Sequence, residues 1–283
     1  MSNYLPWIIL ITHVLVLLAL DFFLLHKKGQ APSMKKALWE SLFFVANSVA
    51  FAGVVYLLFD RGLVPNLGEL SPMDSVVKYF TGYVIELSLS VDNLFVIAMI
   101  FAAYKVPLQF QHRVLFLGIL GALIFRALLI GVGLTLIDMF HGVTIVFGVF
   151  LLYTAFKMLK KEDNEPDYKP KKGITKWLNI SNIIDGEKFR TTIEGKRVFT
   201  ALFGALISIE LTDILFALDS IPAIFAITTD PYIVYSSNIF AIMGLRSLYF
   251  FLANMLEKFI YLKYSVFTIL IFVALKLITV GYM

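Results

Sequence analysis

Two stretches of this 283-residue chain carry acids where acids are costly. One reads Glu86-Leu-Ser-Leu-Ser-Val-Asp92-Asn93-Leu-Phe, the other Asp213-Ile-Leu-Phe-Ala-Leu-Asp219-Ser220-Ile-Pro. Aligned, each gives an acid, five residues, Asp, then Asn or Ser, then Leu or Ile. Glu210 stands one turn before the second stretch. Both lie inside long apolar runs. Placing an Asp at the centre of a membrane helix costs about 3 kcal/mol. A costly pattern given twice points to a site that needs negative charge within a membrane. The candidate metal ligands are Glu86, Asp92, Asn93, Glu210, Asp213, Asp219 and Ser220. Carboxylate, amide and hydroxyl oxygens are hard donors, suited to Mn2+, Mg2+ and Ca2+ and poor for Cu(I). Oxygen donors alone do not separate Mn2+ from Ca2+. The chain has no cysteine, so it has no thiolate metal site and no disulfide. It shows no nucleophile–base set and no cofactor motif. An enzyme, a resident cofactor and a nucleic-acid partner are therefore not expected.

The elements that must position these residues are membrane helices. Charged residues make up only 16% of the chain and hydrophobic ones 59%, against about 25% charged in soluble domains. The expected fold class is an all-α polytopic membrane protein of about eight transmembrane helices. The spans are placed near 5–25, 37–59, 79–104, 114–136, 140–158, 198–228, 236–256 and 262–281. The run from Leu5 to Leu25 is read as a retained first span. It lacks a basic flank before it, is too long for a signal-peptide core, and no small-residue cleavage site follows.

Loop charges set the orientation. Lys27, Lys28, Lys35, Lys36, Lys105, Arg113, the basic run from Lys157 to Arg197, Lys258 and Lys263 fall on one side. Arg61 and Lys78 fall on the other. The rich side is expected to be cytoplasmic. The central loop, 159–197, is read as basic mainly to fix topology. Ile174, Trp177, Leu178 and Ile184 have the spacing of a short surface helix, and Lys188 to Phe199 that of a small hairpin turning at Glu194-Gly195.

The duplication extends past the acids. Phe125-Arg126-Ala-Leu-Leu resembles Leu245-Arg246-Ser-Leu-Tyr, and Ala155-Phe-Lys157-Met-Leu resembles Ala274-Leu-Lys276-Leu-Ile. The order is acidic helix, Arg helix, Lys-ended helix, twice. This divides the chain into two leading helices (1–78), a three-helix unit (79–158), the basic loop (159–197) and a second unit (198–283). Three is an odd number, so the second unit enters the membrane from the opposite side, giving an inverted repeat. If the acidic helices cross near Leu89 and Phe216, Glu86 faces Asp219 and Asp92 faces Asp213. Residues six apart on a helix point about 120° apart, so Glu86 and Asp92 do not clasp one ion from a straight helix. Pro222, three residues after Asp219, predicts a break or kink there. Arg126 and Arg246 are read first as charge partners of buried acids. Asp21, a lone acid near the inner end of span one, is a candidate for the ion path or proton coupling, or else an interfacial anchor. Asn238 is a candidate for the path or for a helix cap. His13 is read as a packed or lipid-facing residue rather than a ligand.

At these residues the sequence resembles the TerC family of membrane proteins, in particular its Alx-like members. The likeness covers nearly the whole chain. It includes Leu20-Asp21-Phe22 with His26, Gly82 to Asn93, Gln111-His112-Arg113-Val-Leu, Glu210-Leu-Thr-Asp213, Ala217 to Ala223, Ser237-Asn238-Ile-Phe-Ala and Gly244 to Tyr249. Alx-like members commonly carry a further hydrophobic span after the position of Lys276. The family is grouped with LysE-type exporters and associated with divalent metal efflux, mainly of manganese, and by name with tellurite resistance. The resemblance thus implies a bacterial inner-membrane exporter of Mn2+, with Ca2+ as the alternative substrate, exchanging it for protons by alternating access. The partners are the divalent ion and the lipid bilayer. The competing reading is a non-transporting membrane scaffold that affects metal or tellurite resistance indirectly. Tellurite transport itself fits poorly, because an oxyanion would meet carboxylates. On the transport reading, Asp92→Asn and Asp219→Asn each abolish metal efflux while folded protein is retained. Efflux assays beside a folding check on the purified variants test this.

Overall fold

The computed structural model describes residues 4–23, 33–66, 68–140, 142–160, 178–193, 195–253 and 262–280. The leading helices are α1 (Leu5–Phe23) and α2 (Met34–Asp60). Then come α3 (Pro72–Ala103), α4 (Leu108–Met139) and α5 (Val143–Lys160). A hairpin, β1 (Arg190–Ile193) and β2 (Lys196–Phe199), precedes α6 (Ala201–Phe225), α7 (Pro231–Met243), α8 (Leu245–Ala253) and α9 (Leu262–Val280). The protein is an all-α polytopic membrane protein. Among the described residues five helices, α1, α2, α3, α4 and α6, are long and apolar enough to cross a membrane, and Val143–Phe156 and Phe267–Thr279 are shorter apolar stretches. Large apolar side chains such as Leu128, Val132, Leu215 and Phe272 stand exposed on the outside of the bundle. That is where lipid replaces water as solvent.

Local chemistry starts the site-bearing helices. Ser71 accepts from the Asp74 N–H at 3.1 Å, and the Asp74 carboxylate accepts from the Ser71 N–H at 3.3 Å, a capping box opening α3. Asp230 accepts from the Ile233 N–H at 3.0 Å and opens α7, with Pro231 in the first turn.

Three local expectations are corrected. The span expected at 236–256 is two helices, interrupted at Gly244. A Cβ there would lie 3.3 Å from the Phe44 Cβ, so glycine admits α2 at the joint. Pro222 does not break α6, which runs on to Phe225. Three residues from the helix end, its missing N–H costs only a bond of the final turns. Leu178 to Ile184 is turn and bridge rather than surface helix. Ile180 and Ile184 instead pack against the core beneath α3 and α6, and burial there outweighs helical spacing. Ile174, Trp177 and the rest of 161–177 lie outside the described residues, as do most of the first and seventh loops.

The hairpin forms with antiparallel pairing from Arg190↔Phe199 to Ile193↔Lys196, and Gly195 takes φ 78 at its turn. The Arg190 guanidinium lies 4.5 Å from the Phe199 ring centre. Asp185 accepts from Thr191 at 2.9 Å and from Lys188 at 3.2 Å. These bonds, the Thr191 hydroxyl first, hold its carboxyl below the usual carboxylate range. Arg113 reaches Glu187 at 3.4 Å and ties this segment to the start of α4.

The packing of the two groups of helices is reciprocal. α3 packs along α7, and α6 packs along α4; α3 meets α6, and α5 lies along α9. If α3–α4–α5 is exchanged with α6–(α7, α8)–α9, the first two contacts swap and the last two map onto themselves. α2 braces α3 and α8, and α1 lies against α7. The α5–α9 pair is close because of Gly148, where a Cβ would come within 2.6 Å of Ile278 Cγ1 and 3.0 Å of the Ala274 carbonyl oxygen. Gly148→Ala should therefore overpack the seam and cost about 1–3 kcal/mol. A lower thermal midpoint of the detergent-solubilised variant checks this.

Candidate functional site

The first acid of each stretch of the duplicated pattern meets the other around one arginine. Arg126, on α4, is 1% exposed. Its Nη1 donates to Glu86 Oε1 on α3 and, at 3.3 Å, to Ser220 Oγ on α6. Its Nη2 donates to Asp213 Oδ1 at 3.0 Å and its Nε to Asp213 Oδ2 at 3.3 Å. The fork thus takes both oxygens of Asp213, the geometry in which an Arg–carboxylate pair is strongest. Glu86 is satisfied on all sides. Ser90, one turn on, donates to Oε1 at 2.9 Å, and Asn238 of α7 donates to Oε2 at 3.0 Å. Four helices therefore end on one ion cluster of one cation and two carboxylates. A charge buried this way costs several kcal/mol unless paired and hydrogen-bonded, and here each partner comes from a different helix.

Helical period explains which acids arrive. Ser220 is seven residues after Asp213 and returns to nearly the same face, whereas Asp219, six after, points about 120° away. Asp213 and Ser220 accordingly share Arg126, and Asp219 turns to α5, where Thr154 donates to its Oδ1 at 3.1 Å. The expected facing of Glu86 with Asp219 does not occur. The first acid of each stretch meets the first acid of the other through Arg126, so the helices cross nearer those acids than Leu89 and Phe216. Asp92 lies in α3, with its side chain outside the described part. Asn238 sits in the middle of α7, fully buried, and caps nothing.

Beside the cluster a small cavity of about 40 Å³ opens between α3, α4, α6, α7 and α8. Its polar lining is Asn93, Thr212, Asp213 and Arg246, and its walls include Leu94, Ile119 and Phe216. Asp213 is the member of the ion cluster that faces it: its side chain is 16% exposed, against 2% for Glu86 and Arg126. Glu210, one turn before Asp213, lies against Gly121 of α4, where there is no room for a Cβ. Its Oε2 is buried without a hydrogen-bond partner. Among the described residues no three His, Cys, Asp or Glu side chains converge as a preformed metal centre.

The second arginine does not reach the duplicated acids. Arg246, at the start of α8, pairs with Asp21 of α1, and its Nη1 lies 3.1 Å from His112 Nδ1 of α4. The Phe116 ring lies beneath the guanidinium at 5.9 Å. His13 is packed edge-on between Phe51 and Phe240, each at 5.4 Å.

Sequence reasoning singled out neither Thr154, Thr212, His112 nor Gly121 for the site. Ser90 carried a signal, one turn from Glu86 on the same face. Thr212 is the neighbour of Asp213 on α6, while Thr154, His112 and Gly121 come from helices that only packing brings near.

The family description "Integral membrane protein TerC family" matches residues 71–283, which span α3 to the end of the chain. The chain belongs to the TerC family. This TerC family member is 42% identical over 275 residues to an uncharacterized membrane protein of Rickettsia bellii, covering 96% of this chain and 87% of that one. It is 42% identical over 279 residues to a Myxococcus xanthus membrane protein, also uncharacterized, covering 98% and 84%. It is 40% identical over 274 residues to Escherichia coli Alx, whose designation as a membrane-bound redox modulator is provisional, covering 95% and 84%. No solved structure matches the chain.

The Asp21–Arg246 pair makes a stability prediction for this TerC protein. Asp21→Asn strips a buried guanidinium of its carboxylate and should cost about 3–5 kcal/mol. Joint replacement, Asp21→Leu with Arg246→Met, should recover most of that, because it removes both charges. Thermal midpoints of the two variants and the wild type in detergent decide it.

Proposed function

We propose that this protein exports a divalent cation, Mn2+ first and Ca2+ as the alternative, across a bacterial inner membrane in exchange for protons. The observation that carries the proposal is a carboxylate that faces a cavity from a cluster of two acids and one arginine. Asp213 lines the cavity and shares Arg126 with Glu86, and, among the described residues, Glu210 one turn before it adds a buried oxygen without a hydrogen-bond partner. The second arginine is taken by Asp21. Negative charge held at this cost within a membrane is explained by a cation that visits it.

In this reading the ion meets Asp213 from the cavity, with Asn93 and Thr212 supplying further oxygens. Glu86 anchors Arg126, and Asp219 and Glu210 serve the path on either side. The two groups, α3–α5 and α6–α9, are proposed to be inverted units that rock against one another around Asp213, a view supported by their reciprocal contacts. The basic hairpin side is proposed to be cytoplasmic. The redox wording attached to the E. coli relative does not extend to thiol chemistry in this chain, which has no cysteine. A redox effect through metal supply is compatible with it.

The test is Mn2+ uptake by the purified protein in liposomes, with and without a pH gradient. Gradient-dependent uptake is expected in the wild type and a fall of at least about tenfold in Asp213→Asn, the loss of roughly 1.4 kcal/mol of binding or more. Absence of Mn2+ and of Ca2+ movement with folded protein would favour the scaffold reading.

A further inference from the structure

The carboxylate that faces the cavity is already occupied. Both oxygens of Asp213 accept from the Arg126 fork, at 3.0 and 3.3 Å. A cation arriving from the cavity therefore meets a carboxylate already held by a guanidinium rather than a free one. Arg126 has a second hold: its Nη1 is fixed to Glu86 and Ser220 on the sealed side, where Ser90 and Asn238 pin Glu86. Losing Asp213 would not set the guanidinium adrift. It would stay tethered beside the carboxylate it had left.

We propose that Arg126 is a tethered competitor for the substrate cation, a positioning residue that sets the charge the site accepts and drives release. The proposal rests on the cation-transport reading of Asp213. Coulomb attraction scales with charge. A monovalent ion gains at Asp213 no more than the guanidinium already has, and lacks its two-pronged geometry. A divalent ion doubles the attraction and displaces the fork. The displaced guanidinium, still held by Glu86 and Ser220, faces the bound cation as a like charge and returns to Asp213 when the ion leaves. Tight binding is thereby traded for turnover and for rejection of Na+ and K+.

The experiment uses the full chain as wild type, Arg126→Gln and Arg126→Lys. Mn2+ binding in detergent is measured by calorimetry with and without excess K+, and KM and kcat for Mn2+ are measured in liposomes. Arg126→Gln removes the competitor. It is expected to bind Mn2+ about tenfold tighter, to lose turnover by about tenfold, and to become sensitive to K+. Arg126→Lys keeps a charge but loses the fork, and is expected to show the same changes to a smaller degree. It decides the matter if the Gln variant does not fold. A merely structural arginine would lower the yield of folded protein without tightening Mn2+ binding. Mn2+ binding by the wild type that the folded variants leave unchanged or weaken overturns the competitor role alone. No Mn2+ binding by folded wild type overturns the transport reading and this role with it.

Discussion

The buried fork of Arg126 is the constraint around which the bundle closes. A guanidinium cannot shed its charge and offers five donors in a fixed plane. Burying one obliges the fold to bring acceptors from several directions. Here those acceptors sit on α3 and α6, with Asn238 of α7 completing Glu86. Between membrane helices, lipid supplies no hydrophobic drive for association. A shared ion cluster of this kind therefore specifies register as well as adhesion. It fixes which turn of α3 faces which turn of α6.

The two arginines of the duplicated sequence have parted company. Arg126 holds acids of both duplicated stretches, whereas Arg246 holds Asp21 of α1. The leading helix is thus joined by charge to the second group of helices. α2, between α3 and α8, braces both groups through apolar contact. Arg246 also borders the cavity that Asp213 faces. The arrangement is asymmetric about the cavity: one side has a carboxylate neutralised from behind, the other an arginine whose partner comes from outside the duplicated helices.

Close packing does the rest with small residues. Gly121 makes the seat for the Glu210 carboxylate, Gly148 lets α5 lie against α9, and Gly244 admits α2 at the joint between α7 and α8. At Gly148 a methyl group would meet the backbone of α9 and push two helices apart, whereas at Gly121 it would displace the Glu210 carboxylate. The extramembrane hairpin is held by different means: a cation over an aromatic ring, and an exposed Asp185 braced by Thr191 and Lys188.

The sequence by itself determined the class of the protein, most of its long helices and, within each helix, which of the candidate acids share a face. Those properties depend on composition and on the 3.6-residue period, both local. The pairing of Asp213 with Ser220 on one face, and the turning of Asp219 to another, could be read from spacing seven and spacing six. The hairpin was legible for the same reason, since a glycine between two short strands is a local signal. What only the tertiary structure decided is register between helices. Glu86 meets Asp213 rather than Asp219, Arg246 goes to Asp21, and Thr154 reaches Asp219 from α5. None of these follows from period, because a shift of one turn, about 5.4 Å along an axis, changes every partner. That shift is set by the summed packing of side chains on both helices, which no single stretch of sequence contains.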